Sequence, residues 1–238
     1  MLQLVRAGLK FCISCVSAAL IVGLVATPAA SAQQSFTFYV GGFLPRAETS
    51  RTPDDVLVNN LDFLVFNLKD FNAPTIGGEY LVGMADFFEA GLGIGYQSKT
   101  VPTVYANFVN ANGTEIEQEL KLRVVPATAT IRFLPLGHHD GFTPYIGGGV
   151  GVFGWRYSET GQFLATDQSI FRGNFVGSGT VVGPVILGGV RVPVGNWGIG
   201  GELRYQSAKG DLPADQDFSG TKIDLGGFTG MFTVNIRF

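Results

Sequence analysis

Charge is scarce in this 238-residue chain: 15% of its residues are charged, against roughly 25% in soluble globular domains. Cysteine is scarcer still, with only Cys12 and Cys15. Both lie among the first 32 residues, so neither a disulfide framework nor a cysteine metal site can support the remainder. There is no cluster of Lys or Arg, and the net charge is -3; the electrostatic footprint of a nucleic-acid binder is missing. After residue 32 no apolar run approaches the ~20 residues that a membrane helix requires. Histidine is limited to the adjacent pair His138 and His139.

What is present begins with an N-terminus apart from the rest. Arg6 and Lys10 precede an apolar run from Phe11 to Ala26, and Thr27-Pro28-Ala29-Ala30-Ser31-Ala32 follows. A basic start, an apolar centre of that length and small residues at the exit read as a secretory signal peptide, cleaved after Ala32. The chain therefore divides into a signal peptide, 1–32, and one domain, 33–238.

Glycine is abundant, with 34 residues but no collagen period or linker tract, so the glycines belong inside regular structure. Their setting is a period of two. Phe88, Ala90, Leu92, Ile94 and Tyr96 share one face of a segment whose other face is Glu89, Gly91, Gly93, Gly95 and Gln97. Trp197 to Gln206 repeats the scheme, and Phe232, Val234, Ile236 and Phe238 alternate with Thr233, Asn235 and Arg237. Alternation means half-buried strands. A soluble barrel of the lipocalin kind would turn the apolar face inward, whereas a membrane barrel would turn it outward.

Three features favour the membrane barrel. Aromatics stand near both ends of single strands: Phe88 and Tyr96, Tyr145 and Trp155, Trp197 and Tyr205. Strands of that length, tilted by ~40°, rise roughly 20 to 25 Å, the height of an apolar band between two aromatic girdles. The opposite face mixes glycine with charges of both signs, as a crowded polar lumen would. Connections alternate between tight and long. Eight strands are expected, near 34–46, 77–85, 87–100, 115–135, 143–158, 182–193, 196–208 and 227–238. The fold class is thus all-β, an eight-stranded antiparallel up-and-down transmembrane β-barrel, with both termini in the periplasm and four long loops outside. In the fourth strand Leu120, Leu122 and Val124 are expected to face lipid at even positions, while Ala127, Ala129, Ile131 and Phe133 continue at odd ones; the phase slips at Val125-Pro126, which predicts a β-bulge there. In the first long loop Thr52 as N-cap, Pro53 and two aspartates predict a short helix, with Leu57, Leu61, Leu64 and Leu68 at helical spacing.

The end motif Phe232-Thr233-Val234-Asn235-Ile236-Arg237-Phe238, together with this architecture, resembles the small eight-stranded bacterial outer-membrane barrels of the outer-membrane protein A transmembrane domain and outer-membrane protein X superfamily. The resemblance implies that Phe232, Val234, Ile236 and Phe238 form a C-terminal signal read by the barrel assembly machinery. It also implies residence in the bacterial outer membrane, among its lipids and lipopolysaccharide.

An eight-stranded barrel is just wide enough for side chains to fill. The inward charges expected are Glu79, Glu89, Glu119, Lys121, Arg123, Arg132, Arg191, Glu202, Arg204 and Arg237. In a narrow, partly dehydrated lumen such charges should pair, giving a salt-bridged plug; the alternative is a narrow solute path lined by the same groups. No catalytic residue, metal site or cofactor is expected. The histidines, followed by Asp140, fall in a periplasmic turn, away from any serine of the long loops. The function expected is a non-enzymatic integral outer-membrane barrel with a structural or surface-interaction role. A small passive channel is the alternative, and a lipid A-modifying enzyme is a distant third.

Overall fold

A computed structural model describes residues 33–138 and 141–238. The expected signal peptide, His139 and Asp140 lie outside the described residues. Eight strands close an antiparallel barrel: β1 (Gln34–Pro45), β2 (Ala73–Ala85), β3 (Phe88–Val109), β4 (Glu115–Phe133), β5 (Thr143–Leu164), β6 (Ile170–Val194), β7 (Trp197–Gln206) and, after a small ribbon of β8 (Lys209–Asp211) and β9 (Lys222–Asp224), β10 (Gly227–Arg237). Neighbours follow chain order, and β10 closes the ring against β1 from Ser35↔Arg237 to Pro45↔Gly227.

The apolar parity faces outward over one belt of the wall. Ile94 is 61% exposed and Val182 68%, and Phe38, Leu92, Ile131, Ile186 and Leu203 are exposed with them. Apolar surface continuous around a barrel far exceeds what water tolerates on a folded protein; it is the surface that acyl chains cover. Phe88 and Trp197 mark one margin and Tyr96 and Tyr205 the other. Phe88, Tyr96 and Trp197 are exposed and Tyr205 is half-buried, pointing outward by parity with Leu203.

On the side of the long connections β3, β4, β5 and β6, with 19 to 25 residues each, continue well past this belt. β6 has 25 residues, which at ~3.3 Å each and a ~40° tilt rise roughly 60 Å, more than twice a ~25 Å apolar band. Segments expected as loops, 101–114 and 159–181, are therefore mainly strand. Above the belt, water lies outside and packed protein inside. The polarity of the wall inverts there with no change in strand phase.

That inversion corrects two expectations. The β4 ladder with β5 runs unbroken from Gln118↔Gly161 to Phe133↔Ile146, so there is no bulge at Pro126. Leu120, Leu122 and Val124 are buried inside, whereas Glu119, Lys121 and Arg123 are exposed on the outer wall. Pro126 is accommodated because the pairing of β4 with β3 passes from Ile94↔Ala127 to Gln97↔Val124, leaving its missing N–H without a ladder partner to lose. The second correction concerns the girdles: Tyr145, 3% exposed, and Trp155, 4% exposed, point into the barrel. Both share the parity of Gly147, Gly149 and Gly151, which is the inward one.

The first long connection folds into the external mouth. Its helix, α1 (Val56–Asn60), is shorter than the leucine spacing suggested, and Asp55 caps it, accepting from the Leu57 and Val58 amides, in place of Thr52. Leu64 is buried after the helix, and Leu68 opens a 3-10 turn, Leu68–Phe71. Val56 and Leu57 are fully buried against Leu122, Val124, Phe153 and Trp155 from the wall and Ile223 and Leu225 from the last connection. The external half of the lumen is thus an apolar core, corked by the barrel's own loops.

Candidate functional site

The membrane half of the lumen holds a polar network built from alternate positions of β2, β3, β4, β5, β6 and β7. At its centre Arg132, 1% exposed, contacts Glu79 and donates to Glu202 at 2.8 Å. Arg204 donates twice to Glu202, at 2.7 and 3.0 Å, and lies 3.5 Å from Glu79. Tyr145 donates to Glu202 at 3.0 Å, and its ring lies 4.7 Å beneath the Arg132 guanidinium. Thr130 donates to Glu79 at 3.1 Å. Nearer the short-turn end Arg191 grips Glu89 with a bidentate pair at 3.0 and 2.8 Å.

Three carboxylates thus meet three guanidiniums, so the network carries no net charge. Each ion in a dry lumen would be costly alone; paired and hydrogen-bonded, the cost is largely offset. The glycines create the space. A Cβ on Gly91 would stand 2.5 Å from the Glu79 carboxylate, and one on Gly77 or Gly95 would overlap the Tyr39 hydroxyl.

Six of the ten charges expected in the lumen, Glu79, Glu89, Arg132, Arg191, Glu202 and Arg204, meet in this network. Glu119, Lys121 and Arg123 are on the outer wall, as described above. Arg237, half-buried, keeps the inward parity of Asn235 at the end of β10. Phe232 and Phe238 are exposed, and Val234 and Ile236 are half-buried on the outward parity of the same strand.

His138 closes the short-turn end. Its Nδ1 bonds the Asp86 carbonyl at 2.9 Å, and Nε2 lies 3.2 Å from Glu89, off the line of a hydrogen bond. The Glu89 carboxylate holds the imidazole pKa above its ordinary value, against a smaller opposing effect of burial.

A second polar cluster, above the membrane, ties the cork to the wall, and nothing in the sequence pattern pointed to it. Arg51 pairs with Asp55 at 3.0 and 3.1 Å and donates to the Asp224 carbonyl at 2.8 Å. Arg46 donates to Asp224 at 3.1 Å and to the Tyr205 and Ser207 hydroxyls at 2.6 and 2.5 Å. Farther out, Glu159 accepts from Asn60 and Tyr157, each at 2.8 Å. Burial pushes its carboxyl pKa up, opposed by those two hydrogen bonds. These residues lie far apart in sequence, in loops whose conformation no periodicity encodes.

No family model matches this chain, and no curated protein is similar to it in sequence. Solved structures with a related outline exist. Neisserial surface protein A is 12% identical, with a TM-score of 0.46, covering 89% of this chain and 100% of that one. Ail of Yersinia pestis is 13% identical at a TM-score of 0.44, covering 87% and 99%. The N-terminal β-barrel domain of Pseudomonas aeruginosa OprF is 12% identical at 0.40, covering 86% and 97%. At these values the fold rests on the chain's own strand pairing.

Proposed function

We propose that this protein is a sealed integral barrel of the bacterial outer membrane, exported by a signal peptide at 1–32, with a structural or surface-presenting role and no enzymatic one. The observation that carries the reading is the double closure of the lumen. A neutral ionic plug fills the membrane half and an apolar cork fills the external half, so a solute path would have to break both. The long hairpins add support, because they project a large wall beyond the belt. An outer-membrane address fits the outward apolar belt and the alternation of tight turns with long hairpins. Assembly through Phe232, Val234, Ile236 and Phe238 is part of the same proposal.

The decisive experiment uses the full chain refolded in detergent. A band that shifts on boiling, followed by the absence of conductance steps in planar bilayers, is the expected pair of results. Steady conductance by the wild type would replace the sealed barrel with a channel. A chain that is soluble without detergent would overturn the membrane reading.

A further inference from the structure

On four adjacent strands the outward face changes character at one register row. On β3 the sequence Leu92, Ile94, Tyr96 gives way to Ser98 and Thr100; on β4 Ala127 and Val125 give way to Arg123 and Lys121. On β5 Val150 and Val152 are followed, past Gly154, by Arg156 and Ser158; on β6 Val182 and Thr180 are followed by Ser178. The pairings Ser98↔Arg123, Arg123↔Arg156 and Arg156↔Ser178 make these one continuous row, with Thr100↔Lys121 and Lys121↔Ser158 directly beyond it. Three cations and four hydroxyls share the two rows, with no carboxylate among them.

We propose that Arg123, Arg156 and Lys121 form a docking row for the phosphoryl headgroup of a lipid in the leaflet on the long-hairpin side. The inference rests on the membrane reading above. If acyl chains cover the belt up to Tyr96, the headgroups of the same lipids lie at the next rows, where the cations stand. Arg123 and Arg156 are direct cross-strand neighbours, an arrangement that repels unless an anion sits between them. None of the ion pairs among the described residues uses either arginine or Lys121. Guanidinium forks match phosphate geometry, and hydroxyls add donors. A shallow groove of about 450 Å³ passes between them, bordered by Tyr96, Arg123, Arg156, Ser178 and Thr180. The site is one-sided. Across the barrel, Arg46 near Tyr205 is already held by Asp224.

The test measures retention of a bisphosphorylated lipid A by the full chain in nanodiscs, using native mass spectrometry. Wild type should hold it at least tenfold more tightly than the same glycolipid stripped of phosphate, a comparison that needs no variant. Arg123→Gln with Arg156→Gln should remove that preference, whereas Lys209→Gln, outside the row, should keep it. Equal retention of both lipids by an inserted, heat-modifiable wild type overturns the site alone. Failure of the wild type to insert overturns the membrane reading, and the site with it.

Discussion

The Asp224 amide donates to the Asp55 carboxylate at 2.6 Å, across 169 positions of sequence. Through this bond the last connection holds the first inside the barrel mouth, because the same carboxylate caps α1 and pairs with Arg51. Asp55→Ala removes a helix cap, about 1 kcal/mol, and leaves a buried guanidinium short of its partner, about 3–5 kcal/mol. The β-barrel wall does not depend on it. Protease should therefore cut the variant between residues 46 and 72 while the boiling-dependent gel shift persists. Unchanged protection of that segment would mean that the apolar contacts alone hold the cork.

The ionic plug makes a different prediction. Arg132→Met leaves Glu79 and Glu202 sharing Arg204, an imbalance of one buried negative charge. Removing one partner of a buried pair costs about 3–5 kcal/mol, whereas replacing both by neutral groups of similar size is far milder. The urea midpoint of the folded band should drop for Arg132→Met and recover by more than half in Arg132→Met with Glu79→Gln. If the double variant is no better than the single one, packing of the arginine stem outweighs its charge.

The barrel was legible because its signal repeats. Alternation in β3, β7 and β10 fixes two faces whatever surrounds them, and six lumen charges follow from parity alone. The failure at β4 has a physical cause: hydrophobicity marks the inner face above the membrane and the outer face within it. Reading Leu120, Leu122 and Val124 as lipid-facing required a bulge that the ladder does not contain. Tyr145 and Trp155 fail likewise, since an aromatic ring suits a girdle and a lumen equally. The parity of Gly147, Gly149 and Gly151 was the available clue. The Arg46, Arg51, Asp55 and Asp224 latch had no such clue, because loop closure depends on contacts between segments that share no period.

At the short-turn end, stability should depend on pH through His138. Its pKa is raised in the folded protein by Glu89, so folding is favoured by the protonated imidazole. The contribution is complete below the unfolded value of about 6.5 and is lost as pH rises through the folded value. The wild type should therefore exceed His138→Ala in urea midpoint at pH 5.5 and match it at pH 9. A difference that persisted at pH 9 would assign the effect to the neutral ring and its bond to the Asp86 carbonyl.

Glu159 should show the opposite benefit from substitution. It lies beyond the belt, buried beside Tyr157 and Asn60, and burial raises its carboxyl pKa when folded. The folded state then binds a proton more tightly than the unfolded one, so stability declines as pH rises from about 4.3, the unfolded value, through the folded value. Glu159→Gln keeps an oxygen for the Asn60 and Tyr157 donors and removes the charge. The variant's cork should resist protease longer than the wild type's at pH 8, with no advantage at pH 4. Weaker protection at pH 8 would show instead that the ionised carboxylate, held by its two donors, is the form that closes the mouth.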